Sequence, residues 1–419
     1  MVESTAGAGE LASSRRFRRA VVGVGAAQLY AWGVIYYPFS VTGKLMAADL
    51  GLSSEAAFGG FSLMLLVGAM VAPWVGRAID RRGGRQVLSV GVLFAAGALA
   101  FAASASGPVS FFLGCALLGV ASALTLYDAG FAGLVQVAGG QGRRAITYVT
   151  FLGGFASTAF WPITAWLCER WGWRTAYFAY AAGMIALCLP VYLATLGGAP
   201  GADQHIEQAD AEAENREDAP LQGSARRSAF VALATAIAGH QLVIAALSIH
   251  MIGAMLQAGL NGEQAILVGM AFGPGQVLAR FAEMIWGGRF PAIVAGRVAV
   301  MLLPPALLFL LSGSMSLALA LCFSAALGMS NGLMTIARGT VALALFGRRG
   351  YGAIIGDLAL ASLFARAIGP LALAYGLARL GLSLSAVGCI ACAFVGVAAM
   401  EIAARIAASQ RQARIVNSG

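Results

Sequence analysis

The chain has 419 residues, 59% of them hydrophobic and only 11% charged, against roughly 25% charged in an ordinary soluble domain. So few charges cannot cover a soluble surface, and the chain reads as an integral membrane protein. Its net charge of +9 is no nucleic-acid signal, because the basic residues fall in short clusters between apolar runs rather than on one continuous face.

The polar opening, Met1–Ala20, ends in Arg15, Arg16, Arg18 and Arg19. The apolar run behind it exceeds the ~7–15 residues of a signal-peptide core, so it reads as a first crossing. A membrane helix needs ~20 apolar residues, and twelve runs approach that length. The first six are about Ala20–Gly43, Ala56–Val75, Val87–Ser104, Val109–Val137, Ile146–Leu167 and Ala176–Leu196. The second six are about Ala229–Leu256, Ala265–Trp286, Ala292–Ser312, Leu317–Leu345, Gly352–Ala378 and Leu384–Ala407. Gly197–Arg227 separates them and holds Asp203, Glu207, Asp210, Glu212, Glu214, Glu217 and Asp218, the composition of a disordered linker.

The expected organisation is a cytoplasmic tail (1–19), a six-helix bundle (20–196), the acidic linker (197–227), a second six-helix bundle (228–407) and a cytoplasmic tail (408–419). The 55 glycines suit close helix packing. The six cysteines lie in or beside apolar runs and read as packing residues, Cys389-x-x-Cys392 included.

Arginine placement orients the chain. With the N-terminus in the cytoplasm, twenty basic residues lie on that side and four, Lys44, Arg170, Arg174 and Arg379, on the other. Both termini are then cytoplasmic. The halves also look related at an offset of about 210 residues. Ala116–Gly119 resembles Ala326–Gly328, and the double arginines Arg143-Arg144 and Arg348-Arg349 follow in turn. Duplicated transporter halves place a substrate site near the midplane at the repeat interface.

After the second run comes Gly76-Arg-Ala-Ile-Asp80-Arg81-Arg-Gly83-Gly-Arg85. It resembles the Gly-x-x-x-Asp-Arg-x-Gly-x-Arg loop of the major facilitator superfamily, at the place that family puts it. Gly76 and Gly83 permit a tight turn. Asp80 can accept hydrogen bonds from a helix N-terminus and pair with the arginines nearby. The resemblance implies the twelve-helix, two-bundle fold and a conformational role for Gly76, Asp80, Arg81, Gly83 and Arg85, as a latch between transport states. The second copy, Gly287-Gly-Arg-Phe-Pro291, lacks the acid.

Within that family, the segment Tyr30-Ala-Trp-Gly-Val-Ile-Tyr36-Tyr-Pro-Phe-Ser40 is similar to the first helix of oxalate–formate antiporters and monocarboxylate transporters. That branch carries basic residues in its eighth and eleventh helices, where this chain has Arg280 and Arg366. The span-five pattern of drug–proton antiporters is absent from Gly153–Pro162.

The charges counted inside the spans are Asp128, Arg280, Glu283, Arg338, Asp357 and Arg366. A charge at mid-membrane costs ~2.5–3.5 kcal/mol or more, so each needs a partner or a ligand. Arg280 and Glu283 share one helix face, either as a permanent salt bridge or as an anion site with its proton carrier. Arg366 has no acid on its own turn; it reads as a carboxylate clamp or as one half of a pair with another helix.

Glu283, Asp128 and Asp357 are the candidate proton carriers. Asp128 and Arg338 read either as a gating pair or as two independent charges reaching water. His240 is a candidate proton relay or solute contact, with a hydrogen-bonded packing histidine as the alternative. Gln28, Tyr30, Tyr36 and Tyr127 could line a cavity and bind a polar solute, with core packing as the alternative.

No phosphate-binding Gly-x-x-x-x-Gly-Lys loop, metal-ligand cluster or nucleophile–base pair is visible. The sequence therefore points to a secondary transporter rather than an enzyme, without cofactor or metal. The expected cargo is a small organic anion, a mono- or dicarboxylate, moved with protons or against a counter-anion. The expected setting is a lipid bilayer, as a monomer in a bacterial inner membrane. Efflux of a toxic or amphipathic solute, with the arginines structural, is the alternative.

Overall fold

The computed structural model describes residues 3–197, 220–312 and 315–418. The acidic residues 203–218 lie outside the described residues. Every regular element among the described residues is a helix. In chain order these are α1 (Glu3–Ala31), a π-turn (Trp32–Tyr36), α2 (Phe39–Asp49), α3 (Ser54–Arg82), α4 (Gly84–Ala103), α5 (Pro108–Thr125), α6 (Tyr127–Ala138), α7 (Gly142–Gly153), α8 (Ala156–Gly183) and α9 (Leu189–Thr195). Then follow α10 (Gly223–Gln257), α11 (Gly262–Trp286), α12 (Ala292–Met301), α13 (Leu303–Leu308), α14 (Leu317–Phe346) and α15 (Tyr351–Ser418).

Nine helical stretches among the described residues are long and apolar enough to cross a bilayer. Pro108–Thr195 and Tyr351–Ala413 run to 88 and 63 residues, far beyond the ~20 that one crossing needs. Each contains a glycine with non-helical backbone, Gly172 at φ +81° and Gly381 at φ +77°. Large side chains such as Trp74 (66% exposed), Met270 (67%) and Leu371 (65%) point outward. In water they would be a liability; in lipid they meet their own kind.

The chain packs as two compact units. One is Met1–Ala211 with Gly350–Gly356, and the other is Glu212–Arg349 with Asp357–Gly419.

Several local features depart from the sequence reading. The first apolar run is interrupted: Tyr37 N–H bonds back five residues to Trp32 C=O at 3.1 Å, and Pro38 has no N–H to donate to the preceding turn. The fourth run is two helices, hinged at Leu126, whose backbone is extended (φ −81°, ψ −170°). Both flanking tails are helical where described, from Glu3 and on to Ser418. The charges within the helices also exceed three cations and three acids. Arg297 in α12 and Glu401 in α15 form an ion pair at 2.8 Å, and Arg405 joins it at 3.3 Å. In sequence this set looks like loop charge, because it lies near helix ends.

Candidate functional site

In the first unit, aromatic side chains from the π-turn and α6 form one cluster. Trp32 lies 5.1 Å from Tyr36 and 4.9 Å from Tyr127, and Tyr127 stacks on Phe131 at 5.2 Å. Tyr127 OH donates to Thr150 C=O at 3.4 Å. Trp32 Nε1 is buried with no acceptor, an open donor among tyrosines. The structure thus brings Tyr36 and Tyr127 together and adds Trp32 as the central ring. The hinge at Leu126 puts Asp128 in the first turn of α6, where the helix dipole favours negative charge.

Gln28 and Tyr30 point elsewhere, into the bundle. Gln28 is fully buried, and its Nε2 donates to Thr125 C=O (2.7 Å) and to Tyr192 OH (3.2 Å). Tyr30 OH donates to Tyr180 C=O at 3.2 Å, and its ring meets Phe160 edge-on at 5.5 Å.

In the second unit, α11 and α14 touch backbone to backbone. A side chain at Gly328 or Gly332 would collide with the main chain of Phe272 or Gln276. This approach sets Asn331 opposite Gln276, whose Oε1 accepts from Asn331 Nδ2 at 3.1 Å. The same oxygen accepts from Arg280 Nη2 at 3.4 Å. Arg280 is only 6% exposed, and its Nε is buried without an acceptor. Glu283, one turn on, carries its carboxylate against the backbone of Gly287.

Arg366 is partly buried on α15, one turn before Pro370. Proline has no N–H, so the Arg366 carbonyl loses its ordinary helical donor. His250 Nε2 bonds the Pro370 carbonyl at 3.0 Å. Arg338 is buried in α14, and Asp357 is partly buried in α15.

His240 is buried, with Nε2 at 2.8 Å from Ser330 Oγ, and that hydroxyl donates its single proton to Ala299 C=O at 2.6 Å. Ser330 must therefore accept, so His240 carries its proton on Nε2. Nδ1 is a buried acceptor with no donor. Gln276 and Asn331 do not stand out in the sequence, because an amide in an apolar helix has no signature until its partner is known.

The signature loop has its own geometry. Gly83 ends α3 and begins α4 at φ +83°, a conformation that side chains resist. Gln136 in α6 clasps this corner. Its Nε2 donates to Ile79 C=O (3.0 Å), and its Oε1 accepts from Gly84 N–H (2.7 Å). Asp80 accepts from the N–H groups of Gly352 (2.9 Å) and Ala353 (2.7 Å), in the first turn of α15 and within the same unit. Those are orphan donors of a helix start, so the bond is of the N-capping kind. Gly76 packs on Gly352 so closely that neither has room for a side chain. Arg81 and Arg85 stay exposed. Among the described residues no group of three His, Cys, Asp or Glu side chains is arranged to hold a metal ion.

Residues 23–370 match the family model described as Major Facilitator Superfamily. No curated protein matches the chain by sequence. Many solved structures share the fold, and three illustrate it. The human organic anion transporter MFSD10 (TETRAN) superposes with a TM-score of 0.66 at 16% identity, covering 93% of this chain and 99% of its own. The proton:xylose symporter XylE, bound to 6-bromo-6-deoxy-D-glucose, gives 0.69 at 12% identity over 93% and 95%. The transporter FucP in the outward conformation gives 0.69 at 14% identity over 93% and 99%.

Proposed function

The chain belongs to the major facilitator superfamily, and from that premise we propose that it carries a small organic anion, a mono- or dicarboxylate, by alternating access of two six-helix bundles. It is a multi-pass membrane transporter of a small molecule; the rest of this reading is ours. The nine long stretches divide into twelve crossings when Pro108–Thr195 is cut at Gly139 (φ +53°) and Gly172 and Tyr351–Ala413 at Gly381. The bundles take residues 20–196 and 228–407. The arginine-rich side, with both termini, faces the cytoplasm, and the chain acts as a monomer in a bacterial inner membrane.

One observation carries the choice of cargo. Arg280 is a buried guanidinium that donates to the neutral amide of Gln276, and its Nε has no acceptor. A cation so placed is suited to a carboxylate, which guanidinium binds with two parallel bonds. Arg366 supplies the second cation in this reading. Glu283, three residues on along the same helix, is the candidate proton carrier in this reading. Asp128 and Asp357 are further candidates for proton coupling. Tyr36 and Tyr127 in the first unit, and His240 in the second, are further candidates for solute contact. Arg338 serves the gate, and Asp80 latches the first turn of α15 in one of the transport states. The organic-anion neighbour is consistent with this cargo, but at 16% identity it speaks for the fold alone.

A second cargo class has one observation in its favour. The Gln276–Asn331 amides are the groups a sugar or polyol would use.

The test is uptake into liposomes of labelled carboxylates and sugars, with and without a pH gradient. Carboxylate uptake lost in Arg366→Ala and in Arg280→Lys supports the clamp, since a point charge cannot replace the planar fork. Sugar uptake that survives both substitutions supports the second class. Resistance to a toxic solute without either uptake would support efflux instead.

A further inference from the structure

We propose that the cleft between α1 and α7 is a binding site for one anionic phospholipid of the arginine-rich leaflet. The two helices touch where Gly25 meets Leu152, so closely that a side chain at 25 would collide. Toward their polar ends they part, leaving a cavity of about 510 Å³, a size that suits a small ligand.

The lining is graded along α1. At the mouth stand Arg18, Arg144 and Tyr148, with Arg144 Nη2 3.5 Å from Tyr148 OH. Behind them come Val21, Val22 and Phe151. The change from guanidinium to valine takes one helical turn, about 6 Å. That is the depth over which a phospholipid passes from phosphate to acyl chain.

Charge complementarity decides the class of occupant. Both mouth arginines are exposed and belong to the clusters Arg15–Arg19 and Arg143-Arg144. Arg16 is already spent on the Gly197 carbonyl at 3.0 Å, just beyond α9. Basic pockets beside membrane helices attract anionic headgroups. A free phosphate would use the arginines but leave the apolar wall idle. Val22, 61% exposed, gives an acyl chain a surface to follow. The site is independent of the transported solute.

The test is titration of the purified full chain, in neutral detergent, with dioleoylphosphatidylglycerol, dioleoylphosphatidylcholine or inorganic phosphate. We expect saturable binding of phosphatidylglycerol, with phosphatidylcholine weaker by roughly tenfold or more and phosphate unable to displace the lipid. The double substitution Arg18→Gln/Arg144→Gln should weaken phosphatidylglycerol by about tenfold or more and leave phosphatidylcholine unchanged. Val22→Trp keeps both charges at an exposed position and fills the apolar end; it should also weaken phosphatidylglycerol. Undiminished phosphatidylglycerol binding in either variant overturns the proposal, as does equal affinity for the zwitterionic lipid. Displacement of the lipid by phosphate overturns it too, and reassigns the mouth to a free anion. If the double variant does not fold, Val22→Trp decides.

Discussion

The two units solve the same packing problem with different chemistry. The first fills its centre with rings: Trp32, Tyr36, Tyr127 and Phe131 form one connected row, while Tyr30, Phe160 and Tyr180 form another. Its polar groups largely close on one another, as in Gln28 with Tyr192, Thr42 with Tyr177 (3.1 Å) and Thr164 with Tyr180 (2.7 Å). The second unit has an aliphatic core around Val243, Leu247, Met255, Leu307 and Leu327. It buries Arg280 and Arg338, and it leaves Arg280 Nε and His240 Nδ1 open. A buried group without a partner costs about 1–3 kcal/mol, and a fold retains it most readily where a ligand will supply the missing bond. In the first unit the open buried groups include Gln28 Oε1 and Trp32 Nε1, both neutral; in the second they include the cationic Arg280 Nε.

The sharpest way to break this contrast is to remove the cations. Arg366→Ala is expected to lower carboxylate uptake by a hundredfold or more with expression intact, and Arg280→Lys by about tenfold to a hundredfold, since a charged hydrogen bond contributes about 1.5–3 kcal/mol. Uptake kinetics in liposomes measure both. Normal flux in Arg366→Ala would leave the second unit without its assigned role.

A smaller effect should follow from Asn331→Leu. It releases Gln276, so Arg280 gains a competitor-free amide and loses its orientation. KM for the anion should rise roughly tenfold with the unfolding temperature little changed; an unchanged KM would remove Asn331 from the site.

Gln136→Leu strips the clasp from the Ile79–Gly84 corner and should cost about 1–3 kcal/mol of stability, read as a lower unfolding temperature. If turnover falls further than stability accounts for, the corner also takes part in the conformational cycle. The smallest functional effect is expected at the first unit's centre. Gln28→Leu should lower the unfolding temperature by an amount matching about 1–3 kcal/mol yet leave KM unchanged. A raised KM would return Gln28 to the solute path and blur the division between the units.

Legibility followed the range of the interaction. The signature loop could be read because its chemistry is local: a glycine at positive φ, an acid and arginines sit within ten residues. Membrane crossing could be read because burial in lipid demands only a run of apolar side chains. The hinge at Leu126 escaped, since nothing in Ala123–Tyr127 marks a break the way proline would. The turn at Trp32–Tyr36 escaped too, because ring packing against Tyr127 and Phe61 supports it from afar. Arg280 stood out as a charge in an apolar run, yet its amide partner did not, because Asn331 is 55 residues from Gln276 in sequence.

The amino-acid sequence by itself determined that the chain lives in a bilayer, roughly where it crosses, and which charges had to be accounted for. Those facts follow from transfer free energies, which each side chain carries with it. Only the tertiary structure decided that Gln28 and Tyr30 serve the bundle core, that Arg297 is matched by Glu401, and that Asp80 caps a helix beginning some 270 residues later. A hydrogen bond or ion pair belongs to two groups at once, so it exists only after the helices have packed.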